Sequence, residues 1–404
     1  MIGKRYILSL ISILVLAGTA AAQLELTGSL DVEISAGGKD SQFITNEINN
    51  EFRKPHVGIN QFNLFVFAPI DESFFVNARL QMDTWGSGKL NNPRLTIASL
   101  TWERENSPIR ITVGRFINPF GLYPQRQLTQ DNAFNHVPFA YGYFVNISEI
   151  RGFWPRLTYS GNYGSDDVGL NTVYFGGYAN GLLFNWEVIR NLLAVDVAVA
   201  NVAIASSSNY TNRNNYAGIL RLGFQPLIFW NQGISVSYGT FMQRDEINQD
   251  FEPIEKYNQL VLGTDLILSY SYFEISGEFI YSSWKVPGFS DNAFKLTPRG
   301  DLAEFSLENY SYYIDLKIEP PFLPRSYLAA RYDRISFIDF NHPRATTPID
   351  IPHWDNDVKR YTVAIGYKLS RSVLLKLSYM DQKTDWLDWE PDDYAYRAIL
   401  NMTF

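Results

Sequence analysis

Tyr394-Ala395-Tyr396-Arg397-Ala398-Ile399-Leu400-Asn401-Met402-Thr403-Phe404 closes the chain, with an apolar or aromatic side chain at every even position and Arg397, Asn401 and Thr403 on odd ones. Successive side chains of a strand point to opposite faces, so this period of two describes a strand with one oily and one wet face. The pattern recurs upstream. Leu24, Leu26, Gly28, Leu30, Val32 and Ile34 alternate with Glu25, Thr27, Ser29, Asp31, Glu33 and Ser35, and Phe74, Val76, Ala78, Leu80 and Met82 alternate with Phe75, Asn77, Arg79, Gln81 and Asp83. Further examples include Leu260-Leu262-Thr264-Leu266-Leu268, Tyr310-Tyr312-Ile314-Leu316-Ile318 and Tyr361-Val363-Ile365-Tyr367-Leu369.

The charges inside these segments test the pattern more sharply than the apolar residues do. Arg79, Asp83, Arg110, Arg156, Asp196, Arg221, Asp265, Glu274, Glu278, Asp315, Lys317, Lys368 and Lys376 all take the wet parity. A cation on the lipid face at the bilayer midplane costs roughly 2–4 kcal/mol, so such consistency is expected of a membrane barrel. The register of Ser326 to Phe340 is less regular. No stretch reaches the ~20 apolar residues of a spanning helix, and open sheet edges do not survive in hydrocarbon, so a spanning chain of this kind must close into a barrel.

The links between strands alternate long and short. Gly37–Pro55, Gly86–Arg94, Ile117–Glu149, Ala205–Asn214, Arg244–Lys256, Lys285–Glu308, Asn341–Asp357 and Lys383–Pro391 are long, while Pro69–Ser73, Glu103–Pro108, Arg190-Asn191, Tyr270–Tyr272, Pro320–Pro324 and Ser370–Ser372 are tight. Ala179-Asn180-Gly181 reads as a tight hairpin where a long loop is due. Short periplasmic turns with longer outside loops characterise outer-membrane barrels. The expectation is an all-β, single transmembrane antiparallel barrel of about 18 strands, or 16 if that hairpin is no hairpin, with a long third loop.

Composition agrees. Lys4 and Arg5, an apolar run from Ile7 to Leu16, and Ala20-x-Ala22 form a secretory signal, so Met1–Ala22 is expected to be removed and 23–404 to form one barrel domain. Cysteine is absent, which excludes disulfides, thiolate metal sites and cysteine nucleophiles. The 25 Tyr, 28 Phe and 9 Trp suit the aromatic girdles of a membrane interface. Loss of Lys4 and Arg5 lowers Lys+Arg from 34 to 32 against 42 Asp+Glu, a net charge near −10 that disfavours nucleic acid.

The terminal Phe404, with apolar residues at every second position before it, resembles the signal read by barrel-assembly machinery. The run Gly114-Arg115-Phe116-Ile117-Asn118-Pro119-Phe120-Gly121 before the third loop resembles outer-membrane porins of the phosphate-selective and related types. No dense arginine and lysine ladder accompanies it. The resemblance implies a Gram-negative outer-membrane channel, commonly trimeric, whose third loop folds inward as a constriction. It also implies outer-membrane lipid, lipopolysaccharide and the assembly machinery as partners, with a homotrimer or another envelope protein as further ones.

The candidate pore-lining set is Arg79, Asp83, Arg110, Arg115, Arg156 and Arg221 on the wall, with Arg126 and Asp131 in the third loop. Wall charges of opposite sign would set a transverse field favouring small polar solutes. The bore of such a barrel exceeds what side chains fill, so the interior must hold a channel or a plug. Inward Phe75, Trp154, Tyr313 and Trp284 could guide sugar rings along a channel, but side chains at so low a density more often pack at the loop bases or the rim. The acidic tips Trp386–Asp393 and Asp355-Asn356-Asp357 lack calcium-loop spacing. The four histidines, His56, His136, His342 and His353, lie beside no G-x-S-x-G serine. No enzyme, cofactor or metal site is expected. The functional expectation is passive diffusion of small hydrophilic solutes; the rivals are a sugar- or anion-specific channel, a non-conducting barrel in an envelope complex, and a soluble β-protein.

Overall fold

A computed structural model describes residues 24–37, 55–83, 90–149, 152–153, 169–174, 176–206, 216–243, 254–287, 305–338, 353–385 and 393–404. The signal-like segment Met1–Ala22, Trp154, Arg156, His342 and the acidic tip 386–392 lie outside those residues. The barrel strands are β1 (Glu25–Gly37), β2 (His56–Pro69), β3 (Phe74–Met82), β4 (Arg94–Glu103), β5 (Ile109–Ile117), β8 (Tyr178–Ile189), β9 (Leu193–Ala200) and β10 (Ala217–Leu227). They continue with β11 (Trp230–Thr240), β12 (Asn258–Tyr270), β13 (Phe273–Val286), β14 (Phe305–Ile318), β15 (Ser326–Phe337), β16 (Val358–Lys368), β17 (Val373–Thr384) and β18 (Asp393–Thr403). These sixteen antiparallel strands form one closed barrel, and two-residue strands β6 (Ile147–Ser148) and β7 (Gly152–Phe153) pair separately within the β5–β8 connection.

The fallback strand number is therefore the observed one. Two strands were expected to follow a third loop ending at Glu149. Instead β5 pairs directly with β8 from Ile117↔Tyr178 onward, so the connection runs over 118–177. Ala179-Asn180-Gly181 lies inside β8, not in a turn. A side chain on Gly181 would collide with the Val199 carbonyl, so its glycine permits close strand approach. Its partner Gly114 has φ +118°, a conformation L side chains rarely adopt. An Asn-Gly pair is a strong hairpin signal when read locally, and here sheet packing overrides it.

Closure joins β1 to β18, from Ser29↔Thr403 to Gly37↔Ala395. Gly28 and Phe404 exchange backbone hydrogen bonds of 2.8 and 3.0 Å, and the Phe404 ring sits where a side chain on residue 28 would stand. The tight links all lie at one end of the barrel. Asn106, Asn191, Ser271 and Arg325 take positive φ in four of them, the left-handed geometry short turns need.

Parity holds around the wall. On β16, Tyr361, Val363 and Ile365 are 49, 56 and 43 % exposed on the outer face, while Arg360 and Thr362 are 1 and 2 % exposed within. A barrel in water would bury its apolar face; this one presents it outward, as lipid requires. The irregular Ser326–Phe340 segment resolves into β15 with Arg331 and Asp333 inward and Tyr332 and Arg334 on the other face.

Candidate functional site

The described residues of the β5–β8 connection bond to inward-facing side chains of β11 to β18 and β1. Phe120, Tyr123, Tyr141 and Val173 pack in one apolar cluster with Leu183, Ala198 and Ile219 of β8 to β10. Among its described residues regular structure is limited to a 3-10 turn at Tyr123–Arg126, a helical turn at Phe139–Gly142, the β6–β7 pairing and a bridge between Val145 and Leu170, so much of its polar backbone needs other partners. The wall supplies them. Tyr327 Oη donates to the Ala133 carbonyl (2.9 Å), Arg397 Nη1 to Asn135 (3.0 Å), Arg331 Nη1 to His136 (3.2 Å) and Arg360 Nη2 to Val137 (2.6 Å). Lys376 Nζ donates to the carbonyls of Thr129 and Asn132. Five wall side chains thus hold carbonyls spread over 129–137, as buried backbone acceptors demand.

Wall carboxylates receive the loop's donors in return. Asp333 accepts from the Phe139 amide (3.0 Å) and Glu278 from the Leu122 amide and Tyr141 hydroxyl (3.0 Å). Asp31 accepts from Thr129. Near the long-loop end, Asp355 accepts from the Tyr143 hydroxyl and the Asn146 amide, each at 2.9 Å. The acidic Asp355–Asp357 segment is therefore a hydrogen-bonding clasp: Asp357 also accepts from the Phe337 amide (2.8 Å) and pairs with Arg334. Around this clasp Phe139, Tyr143, Val145, Ile147 and Phe153 pack with Phe241, Trp284, Phe337 and Trp354 into an apolar cluster. Trp284, considered for a solute track, is wholly buried there, and Tyr313 is also buried.

The wall charges pair locally instead of facing each other across open water. Arg331 forks onto Asp315 with two 2.6 Å bonds, Arg360 meets Asp333 at 2.7 Å, and Arg221 is bidentate to Asp265. Along the β10–β16 arc, salt-bridged packing fills the space where a transverse field was expected. The loop's own ionisable groups report the same enclosure. Burial, then the nearby Arg360 and Arg331 guanidinium groups, holds the His136 imidazole well below its ordinary range. Burial pushes the Asp131 carboxyl up, against the opposing pull of Arg126 and Lys376.

The opposite arc, β1–β5 with β8 and β9, faces a cavity of about 1090 Å³ that opens among the short turns. Arg79, Arg110, Asn185 and Asp196 line it with Phe65, Phe67, Phe75 and Phe116. Toward mid-barrel the Tyr178 ring carries Arg79 at 5.1 Å and Arg115 at 5.4 Å, and its hydroxyl lies 3.3 Å from Gln81 and Gln127 of the loop.

The expected site residues thus divide. Arg79, Arg110 and Arg115 gather on the cavity arc, with Arg110 3.6 Å from Glu103. Asp83 pairs with Arg94 near the end of β3, while Arg221 is sealed with Asp265. Arg126 reaches Glu274 at 2.7 Å, and Asp131 stands near it on the loop. Arg331, Asp333, Arg360 and Arg397 were missed or left without a role. Their alternation with Tyr332, Arg334 and Tyr361 was the available signal, but it identifies a face and not the chain segment lying on it. Among the described residues no three His, Cys, Asp or Glu side chains could together hold a metal ion.

No family model and no curated protein sequence matches the chain. Solved structures do match over nearly its whole length. OmpF of Salmonella typhi, solved with daunomycin, aligns with TM-score 0.58 at 9 % identity, covering 96 % of this chain and 99 % of that one. The outer-membrane channel DcaP of Acinetobacter baumannii gives 0.57 at 12 % identity, covering 95 and 98 %. An anion-selective porin from Comamonas acidovorans gives 0.55 at 10 % identity, covering 95 and 100 %. The chain has the sixteen-stranded, outer-membrane type of porin fold.

Proposed function

We propose that this protein is a passive diffusion channel for small hydrophilic solutes in a Gram-negative outer membrane, with the third loop, residues 118–149, as its constriction. The observation that carries this reading is asymmetric filling of the lumen. The loop is bonded to the β11–β1 arc, while the β2–β9 arc keeps a polar, charged cavity of about 1090 Å³. Solutes entering at the short-turn end meet Arg110, Asn185 and Asp196 before the narrow level of Arg79, Arg115 and Tyr178. Size and charge are screened at that level; no residue here is given a catalytic role.

Reconstitution in planar bilayers tests this. Discrete ohmic steps are expected, with liposome uptake that falls steeply as solute size increases. Absence of both steps and uptake for every small solute would leave a closed structural barrel.

A second reading has one observation in its favour. Phe65, Phe67 and Phe75 face the cavity, with the Phe67 and Phe75 rings 5.4 Å apart, and half-buried rings beside Asn and Asp side chains suit a sugar. Concentration-dependent block of ionic current by sugars, lost in Phe75→Ser, would select it.

A further inference from the structure

Three phenylalanines face the lumen on a wall built mainly of hydroxyl, amide and charged side chains. Phe65 and Phe67 of β2 share the inward parity of buried Asn63, and Phe75 joins them from β3. All three line the cavity at the short-turn end and are half-buried. The Phe67 and Phe75 rings stand 5.4 Å apart at 45°, an angled pair and not a flat stack, and Phe65 lies two residues from Phe67 on the same face. Apolar ring surface left in water is unfavourable. The face of such a ring also carries the negative part of its quadrupole, which attracts cations.

The charge beside the rings has the matching sign. The β1–β2 register sets Glu25 directly opposite Phe67, and Glu25 is exposed to the cavity. Opposed side chains start about 5 Å apart, so the carboxylate stands at the edge of the ring cluster. The neighbouring guanidinium groups are engaged elsewhere. Arg79, opposite Phe65, is buried; its Nε donates to Thr96 Oγ1 (2.8 Å) and its guanidinium lies over Tyr178. Arg110 is 3.6 Å from Glu103. Among the described residues no side-chain cation lies over Phe65, Phe67 or Phe75, and Glu25 has no ion pair. The cavity lining as a whole, six carboxylates against four arginines, leans toward cations as well.

Rings and carboxylate together narrow the ligand. An alkali cation or a primary ammonium is strongly hydrated and gives up little of that water to a half-buried phenyl face. A quaternary ammonium has no N–H to satisfy and spreads its charge over methyl groups, so its surface is apolar and cationic at once. A neutral sugar would use the rings but leave the charge of Glu25 unused.

We propose that Phe65, Phe67, Phe75 and Glu25 form a binding site for small solutes that carry a quaternary ammonium group. The methyl groups sit against the rings, and the cationic charge faces the Glu25 carboxylate. The inference rests on the channel reading only in treating the ligand as a permeating solute; binding itself does not require conduction.

The test uses the full-length folded protein in a maltoside detergent, which has no choline headgroup. It is titrated with choline chloride and followed by saturation-transfer NMR of the ligand's methyl protons. Choline binding is expected to saturate, and its neutral isostere, with a quaternary carbon in place of the nitrogen, to bind about tenfold more weakly. Each ring is expected to contribute about threefold, so Phe67→Leu/Phe75→Leu binds choline about tenfold more weakly than wild type. Glu25→Gln weakens choline about threefold and leaves the neutral isostere unchanged. Phe273→Leu, on the outer face of β13, changes neither, and heat-modifiable gel mobility reports that each variant is folded. Should the double variant not fold, Glu25→Gln and the isostere decide the matter. Equal affinity for choline and its isostere overturns the proposal, as does a Glu25→Gln variant that binds choline like wild type. A Phe273→Leu loss as large as the double variant's overturns it too. Ohmic steps without choline binding sink this site alone; choline binding without steps sinks the channel reading alone.

Discussion

Replacing Asp333 by alanine is expected to release the loop from the wall. Asp333 and Arg360 are 0 and 1 % exposed as side chains and 2.7 Å apart, and Asp333 also accepts from the Phe139 amide. Arg360 keeps the Val137 carbonyl and the face of the Phe139 ring at 4.2 Å, but neither carries a formal charge. An uncompensated buried charge costs about 3–5 kcal/mol. The penalty belongs to the docked loop, since undocking lets water reach the guanidinium. The docking equilibrium therefore shifts by roughly 10²- to 10⁴-fold. Single-channel recording is the assay: larger, noisier steps are expected, because an undocked loop uncovers the β11–β18 arc. Asp333→Leu/Arg360→Met removes the orphaned charge with the carboxylate, so the double variant should be closer to wild type than Asp333→Ala. If Asp333→Ala conducts like wild type and the double variant shows no rescue, the clamp does not hold the loop.

Acidification should loosen the loop. The docked state holds His136 neutral and the released state protonates it near its ordinary pKa, so docking is fully stable above about pH 6.5 and loses stability as pH falls below it. Raised Asp131 acts with the opposite sign nearer the carboxylate range, so open probability compared between pH 7.5 and 5.5 for wild type and His136→Asn isolates the imidazole. Reversing Arg110 to Glu on the exposed cavity wall should move the reversal potential in a KCl gradient toward cations; no movement would place Arg110 off the permeation path. Gly28→Leu should expel the Phe404 ring and slow barrel closure, read as delayed appearance of the heat-modifiable form during refolding.

The wall was legible because a misplaced charge is expensive. Arg79, Arg110, Arg221, Asp265, Glu278 and Lys376 could be assigned a face from parity alone; all but Arg110, which lines the open cavity, are buried inside. The lumen was not legible for the same reason that the wall was. Parity reports two environments, and a side chain pointing inward looks alike in sequence whether it meets water, a neighbouring carboxylate or a loop carbonyl. Parity puts Lys376 on an aqueous wall, yet its ammonium ends on the Thr129 and Asn132 carbonyls. The strand count failed at Asn180-Gly181 because turn chemistry is local, while the Gly181–Gly114 contact joins residues 67 positions apart.

The docking chemistry carries one more consequence. The wall cations that reach the loop grip backbone carbonyls, not loop side chains: Arg397 takes Asn135, Arg331 takes His136 and Arg360 takes Val137 through main-chain oxygen. Every residue offers the same carbonyl, so the loop's path is specified mainly by the barrel. Loop side chains that do not themselves pack on the wall can then vary without loosening the clamp, provided they leave the backbone conformation intact; Phe134, Asn135 and His136, buried against it, cannot. Wall positions have no such freedom, because losing Arg360 or Asp333 strands a buried partner. A barrel that fixes an internal loop through its backbone separates the residues that hold the loop from those the loop presents to the lumen. On the channel reading proposed above, that division lets selectivity change through loop substitutions while the barrel stays as it is.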